Sequence, residues 1–568
     1  ELFGVKSTAP GATDGWKWST YAEFAEQVDA FRAALAALGV GPGDKVGIVS
    51  DNRPEWAIAC YATYGLRAAF VPMYEAQKPE EWEFILNDSA ARVVIGSRQD
   101  TYEKLLRVRD NVPSLTRVIG MDLAEGHADR FATLLGQGRA NPVRAEHPTW
   151  DEIAGFIYTS GTTGKPKGVI LSHGNICSNI NAIHSIFTFE STDRSLSFLP
   201  WAHSFGQTCE LHGLLSMGAS MAINDDVPNL LPNLAVVKPT ILFAVPRIFN
   251  RVYDNLNKQM AERPAFIRNL FYRAIAARTK VGKGEAIGMG DKIAVAIADR
   301  LVFTKVRERL GGRLKYAISG SAALNRDVAQ FIDALGIEVY EGYGLTETSP
   351  IATANFPGNR KIGSVGKAIP EVRIVIDRSV TGDAENGEIL VYGPNVMKGY
   401  HNRDDENAAV LQADAGFRTG DMGRLDPDGY LYITGRIKEQ YKLENGKYVV
   451  PAPLEEEVKL SPYIANIMIH GANHEHNVAL VVPDRPTLEK WAQENGVTNL
   501  EGDPKVHALL LGEIAKYGGS LKSYERPKKL LVTMEDFTTD NGMLTPTLKL
   551  KRRNVLAKYE SGLEALYP

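Results

Sequence analysis

Residues 45–97 contain three short apolar runs, KVGIVS (45–50), AAFVPMY (68–74) and ARVVIGS (91–97), with helical stretches between them. The run TILFAVP (240–246) continues this alternation, which is typical of an α/β fold. Several of the runs are apolar at consecutive positions rather than at every second one. We therefore expect parallel strands that are covered by helices on both faces.

The pattern becomes shorter and richer in turns after Arg373. TGDAENGEILVYGP (381–394) and DPDGYLYITG (426–435) are typical of strands joined by Asn-Gly and Asp-Gly turns. We expect a small β subdomain here, over about residues 370–435. A second Thr-Gly-Asp triplet lies at 381–383, and we assign it no function.

A new mixture of elements begins beyond Gly435. PLEEEVKLS (453–461) predicts a helix, and IANIMIHG (464–471) and NVALVVPD (477–484) predict strands. Helical sequence then continues towards the C-terminus.

The chain has 568 residues, which is more than one hydrophobic core usually serves. With a boundary near residues 436–438, we expect two domains. The large N-terminal domain, residues 1–436, would consist of α/β sheet subdomains plus the β subdomain, and the small C-terminal domain, residues 437–568, would be α+β.

Composition excludes several classes of protein. Hydrophobic residues at 44% and charged residues at 23% are ordinary for a globular chain. The formal charge is -4, from 64 basic and 68 acidic residues, which argues against a nucleic-acid partner. Cys60, Cys177 and Cys209 are far apart and lack CxxC spacing, which argues against a disulfide framework or a zinc site and favours a reducing compartment.

The sequence has no feature that predicts insertion in a membrane. No apolar run approaches the roughly 18–20 residues that a membrane-spanning helix needs, and no signal-peptide pattern opens the chain. We therefore expect a cytoplasmic location. The sequence begins at Glu1, so a targeting segment before it stays open, and nothing in it indicates an oligomeric state.

The strongest functional signal is a loop rich in glycine and hydroxyl groups. Residues 158–169 read YTSGTTGKPKGV, between the apolar run AGFI and the strand-like VILS. Glycines let successive backbone N–H groups point at one centre, while serine and threonine add hydroxyls and Lys165 and Lys167 add charge, so the loop can bind polyphosphate. Its glycine spacing and Pro166 do not fit a Walker A loop.

This loop resembles the signature of the adenylate-forming superfamily of acyl-CoA synthetases, nonribosomal adenylation domains and luciferases. Further segments resemble that family in the same order. They are SGSAA (319–323), YGLTE (343–347), TGD (419–421), GRIKEQYKLENG (435–446) and LTPTLKLKR (544–552).

The resemblance implies ATP as a substrate and assigns a role to each segment. Tyr343 would supply an aromatic face for adenine, Thr346 would contact the α-phosphate, and Asp421 and Arg436 would bind the ribose. Mg²⁺ would be held by Thr163 and Glu347, since a hard cation prefers carboxylate and phosphate oxygens. The nucleotide-binding residues implied are Thr159, Ser160, Gly161, Thr162, Thr163, Gly164, Lys165, Gly320, Ser321, Ala322, Glu341, Gly342, Tyr343, Gly344, Thr346, Asp421 and Arg436.

The resemblance also implies a two-step reaction. A carboxylate is ionised at neutral pH, so adenylation needs charge neutralisation rather than a general base, and Lys549 would be the adenylating lysine. The small domain would be mobile and rotate about Lys438, after which the strand that carries Lys442 would face the thioester step with coenzyme A.

Segments 238–247, 461–471 and 544–552 resemble long-chain acyl-CoA synthetases. Segment 198–207 resembles the aromatic segment that lines the family's acyl pocket, with His203 at its gate. We therefore expect a long-chain fatty acid-CoA ligase, with medium chains left open. Two alternatives are a fatty acyl-AMP ligase that passes the acyl group to a carrier protein, and an inactive nucleotide- or acyl-binding scaffold. A hydrophobic product leaves peripheral membrane contact open, although no strongly basic amphipathic helix stands out.

Overall fold

The computed structural model describes residues 1–9, 11–159, 166–380, 385–519, 521–545 and 549–567. The strands of the larger, N-terminal part are β1 (Phe3–Lys6), β2 (Trp16–Trp18), β3 (Lys45–Val49), β4 (Ala69–Met73), β5 (Val93–Gly96), β6 (Arg117–Gly120), β7 (Ile153–Thr159), β8 (Lys167–Ser172), β9 (Arg194–Ser197), β10 (Ser220–Ile223), β11 (Ile241–Ala244), β12 (Tyr316–Ser319), β13 (Val339–Gly344), β14 (Ile351–Ala354), β15 (Lys367–Ala368), β16 (Arg373–Asp377), β17 (Gly387–Tyr392), β18 (Gly399–Tyr400), β19 (Phe417–Leu425) and β20 (Leu431–Arg436). The remaining strands are β21 (Tyr441–Lys442), β22 (Tyr448–Val449), β23 (Ile464–His470), β24 (Val478–Pro483) and β25 (Lys529–Val532).

The α-helices surround these strands. They are α1 (Tyr21–Ala37), α2 (Pro54–Tyr64), α3 (Pro79–Asp88), α4 (Gln99–Arg109), α5 (Phe131–Ala140), α6 (His173–Ile186), α7 (Gly213–Met217), α8 (Leu230–Val237), α9 (Pro246–Ala261), α10 (Ala265–Gly282), α11 (Met289–Ala298), α12 (Thr304–Arg309), α13 (Arg326–Ala334), α14 (Asp404–Val410), α15 (Pro451–Val458), α16 (Arg485–Asn495), α17 (Pro504–Tyr517) and α18 (Arg552–Glu564). Short π-helical segments cover Phe205–His212 and Asp299–Phe303, and 3₁₀ turns cover Val227–Asn229, Thr346–Thr348 and Ile437–Glu439. No helix within the described ranges is long and apolar enough to cross a bilayer.

Two large sheets form the N-terminal part. One has the strand order β15-β14-β13-β12-β11-β9-β10-β1-β2, and the other has the order β18-β8-β7-β4-β3-β5-β6. The four apolar runs quoted first became β3, β4, β5 and β11, and their pairings with neighbouring strands are parallel. The prediction of a parallel α/β fold is confirmed in the centre of both sheets.

Parallel pairing reaches the β6 edge of one sheet but not the other sheet ends. β7 and β8 pair antiparallel, as do β8 with β18 and β13 with β14. The reason at β7 and β8 is the length of their connection, because a parallel crossover needs a dozen or more residues and Thr159 directly faces Lys167. In sequence, the predicted phosphate loop connects these two strands, and its residues 160–165 lie outside the described part.

The β subdomain is a four-stranded antiparallel sheet with the order β16-β17-β19-β20. The predicted strand over 381–394 is Gly387–Tyr392, with residues 381–384 outside the described part. The predicted strand over 426–435 starts only at Leu431, because Asp426 closes a turn by accepting the N–H groups of Asp428 and Tyr430.

The last part of the chain is α+β, as expected. β23, β24 and β25 form a three-stranded sheet that packs with the helices that follow, around a separate buried cluster that includes Ile467, Val481 and Ile514. The helix predicted over 453–461 ends at Val458, earlier than expected. β21 and β22 form a small hairpin ahead of this sheet.

Candidate active site

The carboxylate of Asp421 joins two other predicted site residues. The Tyr343 hydroxyl donates to Asp421 Oδ2 at 2.8 Å, and Arg436 Nε lies 2.8 Å from Asp421 Oδ1. Asp421 on β19 and Arg436 on β20 are direct cross-strand partners, so the antiparallel register places the ion pair. Asp421 raises the pKa of Arg436, and burial followed by the Asp421 charge raises the pKa of Tyr343 well above its usual range.

The Thr346–Glu347 segment is held from three directions. The Tyr400 hydroxyl donates to Glu347 Oε1 at 2.7 Å, and the Ser204 and Thr346 hydroxyls lie 3.3 Å apart. Asn179 Oδ1 accepts the Ile351 N–H at 2.7 Å, which fixes the chain just beyond this segment. Glu347 keeps part of its surface exposed, so its carboxylate remains available to a ligand.

The glycines of β13 permit a close approach of two backbones. A Cβ at Gly344 would lie 1.8 Å from the Pro350 carbonyl oxygen, so a side chain there would force the Thr346–Glu347 segment to move. Gly342 lies on the same strand, with 3.2 Å between the Cβ position and the Thr353 carbonyl oxygen. Both glycines therefore shape the loop rather than add chemistry.

The turn after β12 lies beside the segment predicted to line the acyl pocket. A Cβ at Gly320 would come within 3.2 Å of the Phe205 ring, and Ser321 has a φ of 70° in the left-handed region while Ala322 is exposed. The Glu341 carboxylate accepts the Leu324 N–H at 3.3 Å, and burial raises its pKa to about 7. Glu341 thus stabilises this turn through a backbone hydrogen bond.

Lys549 comes from the C-terminal part of the chain, yet it interacts electrostatically with Asp421, Glu347 and Arg436. Lys549 is exposed, although neighbouring protein atoms displace part of its hydration. This desolvation lowers the pKa of Lys549, and the Arg436 guanidinium lowers it further, while both carboxylates act in the opposite direction.

His203 lies close enough to Lys549 to feel its charge. Burial lowers the pKa of His203 to about 4, and the Lys549 ammonium adds to this effect. The imidazole is therefore neutral at neutral pH, and its Nδ1 accepts the Phe205 N–H at 3.2 Å. A neutral ring beside an apolar segment fits a gate better than a charged binding group.

A charged residue also stands at the described end of the phosphate loop. Lys167 forms an ion pair with Glu406, and its Nζ lies 5.3 Å from the centre of the Tyr400 ring. Burial lowers the pKa of Lys167, and the positive charge of Lys438 lowers it further. Thr159 precedes the loop, and the predicted residues Ser160, Gly161, Thr162, Thr163, Gly164 and Lys165 lie outside the described residues.

Lys442 is separate from these groups. It lies on the exposed β21–β22 hairpin, where its Nζ is 5.5 Å from the centre of the Tyr448 ring. The structure thus brings Lys549 near Arg436 and Lys438 near Lys167, whereas Lys442 lies on an exposed hairpin. The cationic side chains can bind an anionic phosphate chain, and the carboxylates of Asp421 and Glu347 can bind a divalent cation beside it.

Comparison with known proteins identifies the family. A model described as AMP-binding enzyme matches residues 5–401, and one described as AMP-binding enzyme C-terminal domain matches residues 438–568. The chain belongs to the AMP-binding enzyme family.

Several curated relatives of this AMP-binding enzyme are similar over most of their length. A peroxisomal long chain acyl-CoA synthetase 7 from Arabidopsis thaliana is 32% identical over 100% of this chain and 84% of its own. A long-chain-fatty-acid–CoA ligase from Mycobacterium bovis is 35% identical over 97% of this chain and 92% of its own. The adenylation domain of a carboxylic acid reductase from Segniliparus rugosus, solved with AMP and a carboxylic acid, has the same fold, with a TM-score of 0.77, 22% identity and coverage of 100% and 91%.

Sequence reasoning missed three residues that hold the site of this AMP-binding enzyme together. Tyr400 contacts Glu347, Ser204 contacts Thr346, and Asn179 fixes the chain at Ile351. Each lies far in sequence from its partner, and Tyr400 and Asn179 lie in no motif, so spacing alone could not identify them. Ser204 directly follows His203, and its position within the predicted acyl segment was the one available signal.

Proposed function

We propose that this AMP-binding enzyme is a long-chain fatty acid-CoA ligase. In the first step a carboxylate oxygen of the fatty acid attacks the α-phosphorus of ATP, which forms acyl-AMP and releases pyrophosphate. In the second step the thiol sulfur of coenzyme A attacks the acyl carbon, the bond to the AMP oxygen breaks and the thiol proton leaves, which yields acyl-CoA and AMP. Full-length relatives with ligase names support this assignment.

The observation that carries the proposal is the meeting of Lys549 with Asp421, Glu347 and Arg436, because these residues come from separate segments. We assign the ribose to Asp421 and Arg436 and the adenine ring to Tyr343. Lys549 would neutralise charge that develops between the carboxylate and the α-phosphate. A cationic group at that point lowers the barrier because two anions must approach each other.

Glu347 fits a magnesium ion by the chemistry of its donor group. Its carboxylate is partly exposed, and Tyr400 orients one of its oxygens, so it can offer oxygen to a hard cation. We propose that Glu347, together with Thr163, would hold Mg²⁺. When bound, the ion would neutralise charge on the ATP phosphates.

The second step requires a change of conformation, which we propose to be a rotation of residues 437–568 against residues 1–436. Lys438 lies in the 3₁₀ turn that directly follows Arg436, at the junction of the two parts. Rotation about this turn would withdraw Lys549 and could bring the hairpin with Lys442 to the acyl-adenylate. The present arrangement corresponds to the first step.

We also propose peripheral contact with membranes. Met289, Ile293, Ile297 and Leu301 follow each other at intervals of four residues on α11 and the π segment after it, and they are 71%, 54%, 41% and 51% exposed. Exposed Lys292, Arg300 and Lys305 lie between and after them. An apolar row flanked by cations suits the surface of an anionic bilayer, from which a fatty acid could be drawn.

Product analysis tests the proposed function. The protein is incubated with Mg-ATP, palmitate and coenzyme A, and AMP, palmitoyl-AMP and palmitoyl-CoA are measured by mass spectrometry. We expect palmitoyl-CoA and AMP in equal amounts, and a loss of at least about 10²-fold in both for Lys549→Ala. Lys551→Ala, which changes a neighbouring lysine, is the control and should keep the wild-type rate.

Other products would redirect the assignment. Palmitoyl-AMP that accumulates without thioester would indicate an acyl-AMP ligase that needs a carrier protein. ATP binding without turnover on a panel of acids would indicate a scaffold.

A further inference from the structure

Three potential metal ligands meet in the C-terminal part, far along the chain from the motifs described above. His470 is the last residue of β23, His474 lies in the loop that follows, and Glu564 is the last residue of α18. One ligand atom from each lies within 4.8 Å of the other two. His474 Nε2 is already 3.0 Å from Glu564 Oε1.

The chemistry of this set suits a transition-metal dication. Zn²⁺ binds imidazole nitrogen and carboxylate oxygen at about 2.0–2.2 Å, which places tetrahedral ligands roughly 3.3–3.5 Å apart. His470 and His474 are partly exposed and Glu564 is exposed, so their side chains can close the remaining distance. Two histidines and one carboxylate would leave a fourth position for water. The spacing of the cysteines is not relevant to this site, because none of its three ligands is a cysteine.

The backbone that carries the histidines is already ordered, which favours a site over a chance ion pair. The His474 ring stacks on Tyr567 with 3.7 Å between ring centres and 5° between planes. The Tyr567 hydroxyl donates to the carbonyls of His470 at 3.3 Å and His476 at 3.1 Å. Contacts of this kind orient metal ligands and reduce the ordering that binding requires.

We propose that His470, His474 and Glu564 form a binding site for Zn²⁺ or a chemically similar dication. The ion would join the end of α18 to the loop after β23. That loop is hydrogen-bonded to the β21–β22 hairpin, because Asn473 N–H donates to the Lys442 carbonyl at 2.9 Å and Glu444 N–H donates to the His474 carbonyl at 3.0 Å. Binding therefore stiffens the hairpin that carries Lys442.

Zinc titration of the full chain tests the site directly, without recourse to enzymatic activity. The protein carries no histidine tag, is freed of metal, and is titrated with Zn²⁺ by calorimetry. We expect one saturable site per chain, and affinity at least about tenfold weaker in His474→Gln and in Glu564→Gln, since loss of a ligand costs at least as much as loss of an outer contact. His507→Gln is the matched control, because His507 is another partly exposed histidine of this region and contacts the Glu501 carbonyl instead.

A second readout tests the link to the hairpin. Zn²⁺ should slow hydrogen exchange of the amides in residues 441–449 in the wild-type chain and in His507→Gln, and should leave His474→Gln unchanged. Far-UV circular dichroism and thermal unfolding confirm that each variant is folded. Absence of saturable binding, or equal affinity in the wild-type, His474→Gln and Glu564→Gln chains, would overturn the site. Unchanged exchange in residues 441–449 at saturation would overturn the coupling.

Discussion

Lys549 shows how the environment of one residue sets its chemistry. An ordinary lysine loses its charge near pH 10.4. Neighbouring protein atoms desolvate Lys549 and Arg436 adds a like charge, so the pKa of Lys549 lies lower than in water although Asp421 and Glu347 favour the charged form. The proposed first step needs the ammonium form, because it is the cation that neutralises the approaching anions.

The pH dependence of adenylation follows from this lowered pKa. The charge of Lys549 is present below its pKa and is lost as the pH rises through it, so kcat/KM for ATP should fall at a pH below the range of a free lysine. The measurement is ATP–pyrophosphate exchange with palmitate but without coenzyme A, so that thiol ionisation plays no part. Circular dichroism over the same range controls for unfolding. A rate that stays level to about pH 10 would contradict the assignment of Lys549.

Single motif residues could be predicted from the sequence, but their mutual contacts could not. Tyr343, Asp421 and Arg436 each stand in a segment that resembles a known motif. The hydrogen bond from Tyr343 to Asp421 joins residues 78 positions apart and depends on how the β subdomain packs against β13. Tyr400 lies in no motif, and the pairing of β18 with β8 helps to bring it towards Glu347.

Among the strands, the length of a connection determines whether neighbours can pair parallel, which the apolar pattern alone does not. Consecutive apolar residues predicted parallel strands, which is correct for β3, β4 and β5. The same argument fails for β7 and β8, since the chain returns too soon for a crossover. The π segment at Phe205–His212 had no sequence signal, although such segments frequently occur at functional sites.

The β21–β22 hairpin supplies a prediction about the second half-reaction. Lys442→Ala should slow palmitoyl-CoA formation while ATP–pyrophosphate exchange stays close to the wild-type rate, because Lys442 lies on an exposed hairpin that we assign to the second step alone. The two rates are measured on the same preparation, and palmitoyl-AMP should accumulate. Lys447→Ala on the same hairpin is the control and should leave both rates unchanged. Equal losses in both half-reactions of Lys442→Ala would place this residue in the first step instead.

At the scale of the whole molecule, both parts of the chain contribute residues to the candidate site. Lys549 comes from beyond the three-stranded sheet, and Asp421, Glu347 and Arg436 precede it. The two family models match residues 5–401 and 438–568. Sequence predicted both parts from their element patterns, whereas their relative arrangement depends on contacts that no local pattern contains.

The exposed apolar row on α11 is a property of the surface as a whole, and it predicts membrane binding. The double change Ile293→Asp and Ile297→Asp should weaken binding to anionic lipid vesicles by at least about tenfold, since it removes two isoleucines worth about 1.5–3 kcal/mol each when buried. Binding is measured by co-sedimentation. Ala296→Asp is the control, because it adds the same charge to the same helix at an exposed position outside the row. Undiminished binding of the double variant would contradict this surface as the contact.

Activation through an acyl-adenylate transfers one carboxylate oxygen of the acid to AMP, and this transfer can be measured directly. Palmitate labelled with ¹⁸O in both carboxylate oxygens is converted with Mg-ATP and coenzyme A in unlabelled water. The ¹⁸O content of the AMP is then measured by mass spectrometry. The account predicts one labelled oxygen in AMP, because the bridging oxygen of acyl-AMP stays with phosphorus when the thiol attacks the acyl carbon. Unlabelled AMP beside palmitoyl-CoA would contradict it.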